Sequence, residues 1–442
     1  MNDSVTSKNL WRSATLCVAI ALLGTACGNS RSAAGSAGES AGGKAEANSA
    51  AACPASASKP LADGATIKIG MSTPMSGPLA SAGLTALGMK AYFKAVNDKG
   101  GIDGHKIELI TRDDAFDAAR ALANAQTFTG KDNVLATVNQ IGTPQINAAQ
   151  PVAEKTCTPQ LWSITSTTKG LTDPEKHPWS TLGIAPAAVE AQAVVDYIRT
   201  TKPSGTVMEL TGPDALSTDF HASFPALAKK AGLTVLPNQS IAAGATSVDG
   251  PVAAMVAAKP DAVFLETLPN YCPGFLKALA TAGYKGIVAV NSACNGAAQW
   301  ITPVDPAGDG VVAPMFRKDP ADPRYADDPA MKQYRKDMAA LGAKAQASIG
   351  NALDGYNFGV LLVQNLKDAA GMKGGLTRVN LMKAAWHTKV TRPLSISPRQ
   401  RTDGATDPVL LEAGRVDRYS AKTNGWKSTS TTFDLEGHTP LG

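Results

Sequence analysis

Hydroxyl side chains follow two predicted strands of the chain and could bind an anion. Thr143 is followed by Pro144, which indicates a helix N-cap with proline at the first helical position. The free N–H groups of such a helix start, its dipole and the threonine hydroxyl together favour an anion. Thr165, Ser166 and Thr167 offer further donors after the next predicted strand. The pattern predicts a carboxylate site, and the alternative that each threonine only caps its own helix or turn stays open.

The sequence offers little for catalysis. Its histidines are scattered without the spacing of metal ligands: His105, His177, His221, His387 and His438. The phosphate-binding pattern Gly-x-x-x-x-Gly-Lys-[Ser/Thr] is absent. Asp113 and Asp114 are adjacent at a strand end and should point in opposite directions, which favours turn capping before a helix at Ala118 over an acid/base pair. We therefore expect no enzymatic activity, no metal site and no cofactor.

The elements that must position these residues begin between Ile67 and Phe128. Ile67–Met71 is apolar at alternate positions and predicts a strand, and apolar residues then recur at helical spacing from Gly83 to Val96. A glycine-rich turn ends that helix, and His105–Ile110 predicts the next strand. Two strands joined through a helix form a right-handed crossover unit, so the core should be a parallel sheet with helices on its faces.

Ligands of open parallel sheets bind beyond the carboxyl ends of the strands. Before residue 183 the predicted strand ends are Ser72–Gly77, Gln140–Thr143 and Ser163–Thr167. After it, the predicted ends that would face them are Asp214–Ser217, Glu266–Asn270 and Asn291–Asn295. Helices Pro329–Leu341 and Ala347–Ala370 should rejoin the first lobe, and Arg415–Tyr419 with Gly425–Trp426 predicts a final hairpin.

Length and charge limit the possible classes of protein. The chain has 442 residues, too many for one core, which indicates two lobes with appendages. Its formal net charge is +5, and no run of Lys and Arg or interleaving of basic and aromatic residues indicates a nucleic-acid footprint. We expect no nucleic-acid partner.

Two runs carry a family resemblance. IKIGMSTPMSGPLASAG (67–83) and GGIDGHKIELITRDDAFDAARALANA (100–125) resemble the start of the leucine/isoleucine/valine-type periplasmic binding proteins, the solute-binding subunits of ABC importers. The resemblance extends to about Gly374. It implies an α/β, type I periplasmic-binding-protein fold, with two doubly wound parallel-sheet lobes joined by three crossovers. It also implies a small-molecule ligand, trapped between closing lobes and passed to an ABC transporter permease.

The resemblance also suggests roles for individual residues. Thr167 matches a ligand-binding threonine of the family, Thr165 a position that contributes backbone, and Tyr356 a cleft tyrosine. The family's tyrosine and acid after the later strands fall on Leu268 and near Ser292, which disfavours an α-ammonium pocket. Glu266 could substitute, since it faces the same way as residue 268 in a strand. The complete predicted ligand-binding set is Ser76, Thr143, Thr165, Ser166, Thr167, Asp214, Glu266, Ser292 and Tyr356.

The N-terminal region predicts export. Residues 1–27 have a signal-peptide layout that ends in Leu23–Cys27, which resembles a lipobox with Cys27 as the lipidated residue; simple secretion is the alternative. Residues 28–60, rich in Ala, Gly and Ser, predict a flexible tether. Lobe 1 should comprise 61–183 plus 316–392, and lobe 2 184–315 plus 393–442. We expect a secreted protein, held at the outer face of the cell membrane by its lipid anchor only.

Four cysteines remain for the mature protein and allow three pairings. We favour Cys53 with Cys157, which would fix the tether to the first lobe, and Cys272 with Cys294. The last two each follow a predicted strand, and loops that leave neighbouring parallel strands lie close enough for a bridge. Free buried thiols are the alternative, disfavoured in an oxidising compartment.

These observations together predict the substrate-binding subunit of an importer for a small carboxylate, either an amino acid or an aromatic or aliphatic acid. The replaced family positions favour an acid without an α-amino group. A ligand-sensing surface receptor of the same fold is the first alternative. A secreted hydrolase is a weaker one.

Overall fold

The computed structural model of the protein describes residues 53–242, 245 and 247–440. The predicted signal peptide, Cys27 and residues 28–52 of the predicted tether lie outside the described residues. Residues 53–60 of that segment pack against the first lobe, because Ala57 is fully buried in its core and Cys53 is joined to Cys157. Within the described ranges, no helix has the length and apolar content needed to cross a membrane.

The first sheet has five parallel strands in the spatial order β2, β1, β3, β4, β5. In β1 only Lys68 is exposed, as is typical of a parallel strand that is covered on both faces. Ile67 pairs with Ile107 and Ile69 with Leu109, so the alternating apolar residues of the two strands face the same core. The strands are β1 Ile67–Thr73, β2 Ile107–Asp113, β3 Ala136–Val138, β4 Gln160–Ser163 and β5 Ser180–Leu182.

Helices from two parts of the sequence pack on the first sheet. Leu361 and Leu381, both far along the chain, lie in the same apolar cluster as Ile67 and Ile69 of β1. The early helices are α1 Thr85–Asp98, α2 Ala118–Thr127 and α3 Thr143–Thr156. The returning helices are α8 Pro329–Leu341, α9 Ala343–Ala347, α10 Ile349–Gly371 and α11 Arg378–Trp386. The predicted return of the chain to the first lobe is therefore confirmed.

Helices α1 and α10 cross at two glycines. A Cβ atom on Gly88 would lie 1.8 Å from the Ala352 carbonyl oxygen, and one on Gly355 would lie 1.8 Å from the Thr85 carbonyl oxygen. Only glycine permits this separation, since 1.8 Å is far inside van der Waals contact. The crossing fixes the start of α10, which carries several side chains of the site described below.

Among the described residues, the second sheet has eight strands, in the order β15, β14, β11, β10, β9, β6, β7, with β8 also beside β6. Strands β6 to β11 pair in parallel, and β14 and β15 form an antiparallel hairpin at one edge, which confirms the predicted final hairpin. The strands are β6 Thr206–Thr211, β7 Thr234–Val235, β8 Gln239–Ser240, β9 Ala262–Glu266, β10 Ile287–Val290, β11 Val312–Met315, β14 Ala413–Ser420 and β15 Gly425–Asp434. Its helices are α4 Ala187–Thr201, α5 Ala215–Lys230, α6 Asp249–Ala258 and α7 Cys272–Thr281.

Three connections join the two lobes in the part of the chain that the structure describes. The first runs from β5 to α4, the second from β11 to α8, and the third contains the short hairpin of β12 Lys389–Thr391 and β13 Arg399–Arg401. The second and third lie side by side, because Ile396 N donates to Phe316 O at 2.8 Å and Lys318 N to Leu394 O at 2.9 Å. The predicted fold class, two doubly wound lobes with three crossovers, is confirmed; the residue bounds of the lobes stay a prediction.

Candidate functional site

A cavity of about 620 Å³ lies between the two lobes. Its wall is built from loops that leave the carboxyl ends of β1, β2, β3 and β4 on one side and of β6, β9 and β10 on the other. The start of α10 and the second and third connections complete it. This is the position that the parallel-sheet rule predicts for a ligand, and the volume is in the range of small-molecule sites.

Most of the wall is apolar. Aromatic and branched aliphatic side chains come from both lobes, and they are Leu79, Phe116, Ile141, Ile164, Ile184, Leu216, Phe220, Leu268, Trp300, Phe316, Phe358 and Leu411. A ligand enclosed here would gain chiefly from removal of its apolar surface from water.

Five of the nine predicted ligand-binding residues line the cavity: Thr143, Thr165, Ser166, Asp214 and Ser292. The prediction that Thr143 is the helix N-cap is wrong. Gly142 is the N-cap of α3, with a φ of 97° that favours glycine, and Thr143 is the first helical residue. The Thr143 hydroxyl instead lies 2.6 Å from that of Thr165, so it links the two predicted loops.

The other three cavity residues of the predicted set already have partners. Asp214 caps α5 by accepting from Ser217 N at 2.9 Å. Ser166 Oγ donates to Asp219 Oδ2 at 2.7 Å. Ser292 donates through its backbone N and its hydroxyl to the Glu190 carboxylate, at 2.7 and 2.6 Å.

Glu190 was not predicted and belongs to the cavity wall. It is 3% exposed, and burial raises its pKa to about 7 although the Ser292 hydroxyl and N–H lower it. Burial disfavours the charged form, and two neutral donors recover only part of that cost. Glu190 therefore titrates near neutral pH.

Two other predicted residues, Ser76 and Thr167, lie outside the wall. Ser76 is exposed, and its hydroxyl donates to Asp113 Oδ2 at 2.6 Å within the same lobe. The Thr167 hydroxyl accepts from Lys169 N at 3.3 Å, which is the turn-capping role left open for the threonines.

Glu266 and Tyr356 are also absent from the cavity wall. Glu266 is fully buried beside Glu209, and burial together with that second carboxylate raises its pKa well above the usual value. Glu266 is the last residue of β9, whereas Leu268, two residues beyond the end of the strand, lines the cavity. The Tyr356 hydroxyl donates to Asp337 Oδ2 at 2.6 Å, and its ring packs against Tyr92 and Tyr334 in the core.

Two arginines of the wall were missed by sequence reasoning. Arg317 lies on the second connection, and its Nε is 3.0 Å from Asp354 Oδ1 of α10. Arg392 lies on the third connection and is 3% exposed. Burial lowers its pKa to about 10, so it is cationic at neutral pH. Arg317 follows β11 and Arg392 follows β12, and neither belongs to a sequence motif. Only their position in the connections between the lobes could have indicated that they line the cavity.

All four carboxylates of the wall are engaged by other groups of the protein. Asp117 caps α2 by accepting from Arg120 N at 2.8 Å, Asp354 pairs with Arg317, and Asp214 and Glu190 have the partners given above. Caps are further stabilised by the helix dipole. The partners of Asp117 and Asp214 are neutral N–H and hydroxyl groups, which supply no counter-charge, and Asp214 Oδ2 has no hydrogen-bond partner among the described residues. An incoming ammonium group would have to share a carboxylate that already caps a helix or binds another side chain.

One cluster of three acids, Asp407, Glu412 and Glu436, brings its ligand atoms within 4.8 Å of one another. Arg401 already supplies a cation there, since its Nε lies 2.8 Å from Glu436 Oε1 and 3.5 Å from Asp407 Oδ2. None of the three acids lines the cavity. The cluster gives no reason to assign a metal to the site.

Comparison with known proteins identifies the family. The model of a family described as periplasmic binding protein matches residues 66–409. Leu/Ile/Val-binding protein homolog 7 of Brucella abortus (strain 2308) is 36% identical over 91 residues, which are 20% of this chain and 23% of that protein. The chain thus spans about a quarter of the length of the curated relatives it matches.

Solved structures share the fold. A fatty acid ABC transporter substrate-binding protein from Thermomonospora curvata superposes with a TM-score of 0.73 at 20% identity, covering 87% of this chain and 97% of that one. A branched chain amino acid ABC transporter protein from Thermus thermophilus with bound valine gives 0.73 at 14% identity, covering 84% and 96%. With its two lobes, the cavity at their strand ends and a family match over most of its length, the chain belongs to the periplasmic binding protein family, as its resemblance to the leucine/isoleucine/valine type predicted.

Proposed function

We propose that the protein is the extracellular substrate-binding subunit of an ABC importer, and that its ligand is a carboxylic acid with a large apolar body and no α-amino group. The observation that carries the proposal is the largely apolar cavity of about 620 Å³, in whose wall each acid already caps a helix or binds another side chain. An apolar body fits such a wall, whereas an ammonium group would have to share one of these contacts to gain a counter-charge.

The related structures support a carboxylate ligand, and they are compatible both with an acid that lacks an amino group and with an amino acid. One structural neighbour is named for fatty acids and another holds valine, so this fold accommodates both an acid without an amino group and an amino acid. The residues of this cavity favour the first class. Thr143, Thr165 and Ser166 add hydroxyl groups to the wall but no charge that an ammonium group could pair with.

Binding without turnover is part of the proposal. Capture between two lobes that close on the ligand needs no catalytic group. We further propose that residues 1–27 direct export, that lipidated Cys27 anchors the protein at the outer face of the cell membrane, and that the ligand passes to a permease there.

Mass spectrometry of small molecules released by denaturing freshly purified protein tests the proposed ligand class. We expect an aliphatic or aromatic acid without an amino group, recovered unchanged after prolonged incubation with the folded protein. Release of an amino acid would contradict the ligand class, and conversion of the acid into a product would contradict a binding role. The anchor is tested by mass analysis of membrane-associated protein and of a Cys27→Ala variant, which should be recovered without lipid.

A further inference from the structure

Arg392 is a buried cation without an anionic partner. It is 3% exposed, and among the described residues the direct contacts of its guanidinium group are one hydrogen bond from Nε to Gln400 Oε1, at 2.5 Å, and the ring of Phe358, 5.4 Å from its guanidinium carbon. Neither partner carries a negative charge. A buried charge without a counter-charge costs several kcal/mol, so an anion at this position would be strongly favoured.

The acid of the wall whose charge acts on Arg392 is already paired. Asp354 raises the pKa of Arg392 through its charge, but its Oδ1 lies 3.0 Å from Arg317 Nε and forms the ion pair described above. Arg317 and Asp354 therefore neutralise each other. Arg392 remains as one positive charge in excess at this end of the cavity.

The free part of Arg392 belongs to the cavity wall. Its Nε is held by Gln400, whose own amide donates to Ser397 O at 2.9 Å and is thereby fixed in orientation. The two terminal nitrogens of Arg392 form no hydrogen bond to the described residues, and the side chain lines the cavity. A guanidinium held in this way presents the pair of donors that a carboxylate binds in a bidentate manner.

The hydroxyl groups of the first lobe are less suited to hold a charge. Thr143 and Thr165 bond to each other at 2.6 Å, and Ser166 is committed to Asp219. A hydroxyl group can donate one hydrogen bond. One hydroxyl of the threonine pair already donates to the other, and the Ser166 hydroxyl already donates to Asp219. This end of the wall can border a ligand without supplying a counter-charge.

We propose that Arg392 binds the carboxylate of the ligand, so that the head group lies beside Phe358 at the crossover end of the cavity and the apolar body extends toward the Thr143 and Thr165 loops. This placement rests on the proposed function, because it requires an anionic ligand. Since the excess charge is a single one, the head group is a monoanion. A dicarboxylate would bring a second negative charge with no partner in the wall.

Calorimetry with decanoate and methyl decanoate tests the placement on the full protein, after removal of endogenous ligand by unfolding and refolding. Wild type should bind the acid more tightly than the ester. Arg392→Gln should weaken decanoate binding by roughly 30- to 5,000-fold, since it removes one member of a buried charge pair. Its affinity for the ester should change by less than about 3-fold. Arg392→Lys keeps the positive charge but cannot bind a carboxylate in a bidentate manner, so it should recover part of the lost decanoate affinity.

Arg378 offers a matched control. It is 7% exposed and donates to Val134 O at 2.8 Å, but it does not line the cavity. Arg378→Met should lower the melting temperature and leave decanoate binding unchanged. Arg392→Met should not lower the melting temperature of ligand-free protein, because it removes an uncompensated buried charge. A purely structural Arg392 would give the opposite result.

The outcomes separate the two proposals. If wild type prefers decanoate to its ester but the Arg392 variants bind decanoate within about 3-fold of wild type, the placement at Arg392 is wrong and the proposed function stands. Equal loss of acid and ester binding in Arg392→Gln and Arg392→Lys also overturns the placement. If wild type binds the ester as well as the acid, both proposals are wrong.

Discussion

The Ser166 hydroxyl donates a hydrogen bond of 2.7 Å to Asp219 Oδ2. Ser166 follows β4 of the first sheet, whereas Asp219 lies on α5 beside the second sheet, so the bond joins the two lobes. Ser166 is also part of the cavity wall. The structure thus shows the lobes in contact next to the cavity, in an arrangement that must loosen before an enclosed ligand can leave.

Removal of this bond should accelerate ligand release. Ser166→Ala loses one hydrogen bond to a carboxylate that exists only while the lobes touch, which predicts a roughly 10- to 150-fold faster dissociation of decanoate in stopped-flow measurements. Ser76→Ala is the control, because Ser76 bonds to Asp113 within its own lobe. Equal dissociation rates in the two variants would show that the Ser166 contact does not restrain opening.

The threonine pair should contribute modestly to affinity. Thr143→Val keeps the side-chain volume but removes a hydroxyl that lines the cavity and bonds to Thr165. We expect roughly 2- to 13-fold weaker decanoate binding by calorimetry, the range for a neutral hydrogen bond, because the bound apolar body would leave the Thr165 hydroxyl without a partner. Thr167→Val removes a hydroxyl outside the wall and should have no effect. A larger loss for Thr167→Val than for Thr143→Val would contradict the site as described.

The sequence predicted the residues that follow strands better than those on helices and connections. The sequence predicted the ends of β3, β4, β6 and β10, and the parallel-sheet rule then placed Thr143, Thr165, Ser166, Asp214 and Ser292 at the cavity. Such a rule locates a loop but not the partner of each side chain. The mutual bond of Thr143 and Thr165 and the bond from Ser166 to Asp219 depend on the packing of whole elements.

Residues on helices show more clearly what a sequence pattern cannot predict about the site. On α10, residues Asn351, Asp354 and Phe358 face the cavity at intervals of three and four, while Tyr356 lies off that stripe and enters the core. The sequence does not tell which face of a helix meets the ligand when both faces are buried. Arg317 and Arg392 lie on connections, where no periodicity exists to predict the direction of a side chain.

Both predicted cysteine pairs lie at disulfide distance, with Cα atoms 5.7 Å apart for Cys53 and Cys157 and 6.1 Å apart for Cys272 and Cys294. The first pair closes a sequence separation of 104 and the second one of 22. Loop entropy then predicts a stabilisation of about 4.7 and about 3.4 kcal/mol. In urea titrations, the double Cys→Ser variant of Cys53 and Cys157 should therefore lose more unfolding free energy than the double variant of Cys272 and Cys294. Free thiols at Cys272 and Cys294 in peptide mapping would contradict the second pair.

Glu190 should make stability depend on pH. Its folded pKa of about 7 lies above the value of about 4.5 expected for the unfolded chain, so its protonated form favours folding, and this contribution is full below pH 4.5 and lost as pH rises through 7. Glu190→Gln mimics the protonated form. The unfolding free energy of the variant relative to wild type should therefore rise by about 3 kcal/mol between pH 4.5 and pH 8.

Urea unfolding at several pH values measures this difference. Glu108→Gln, at an exposed position of β2, controls for the loss of one carboxylate. A difference between Glu190→Gln and wild type that stays constant from pH 4.5 to pH 8 would show that Glu190 is ionised at the same pH in the folded and unfolded chain.

The class of ligand is tested most directly by a pair of compounds that differ in one group. Decanoate and 2-aminodecanoate share the carboxylate and the chain length, and only the second carries an ammonium group. Each acid of the described cavity wall already caps a helix or binds another side chain, so the ammonium would have to share one of these contacts, and burial of the extra charge should weaken binding by more than 10-fold in calorimetry at pH 7. Equal or tighter binding of 2-aminodecanoate would contradict the account.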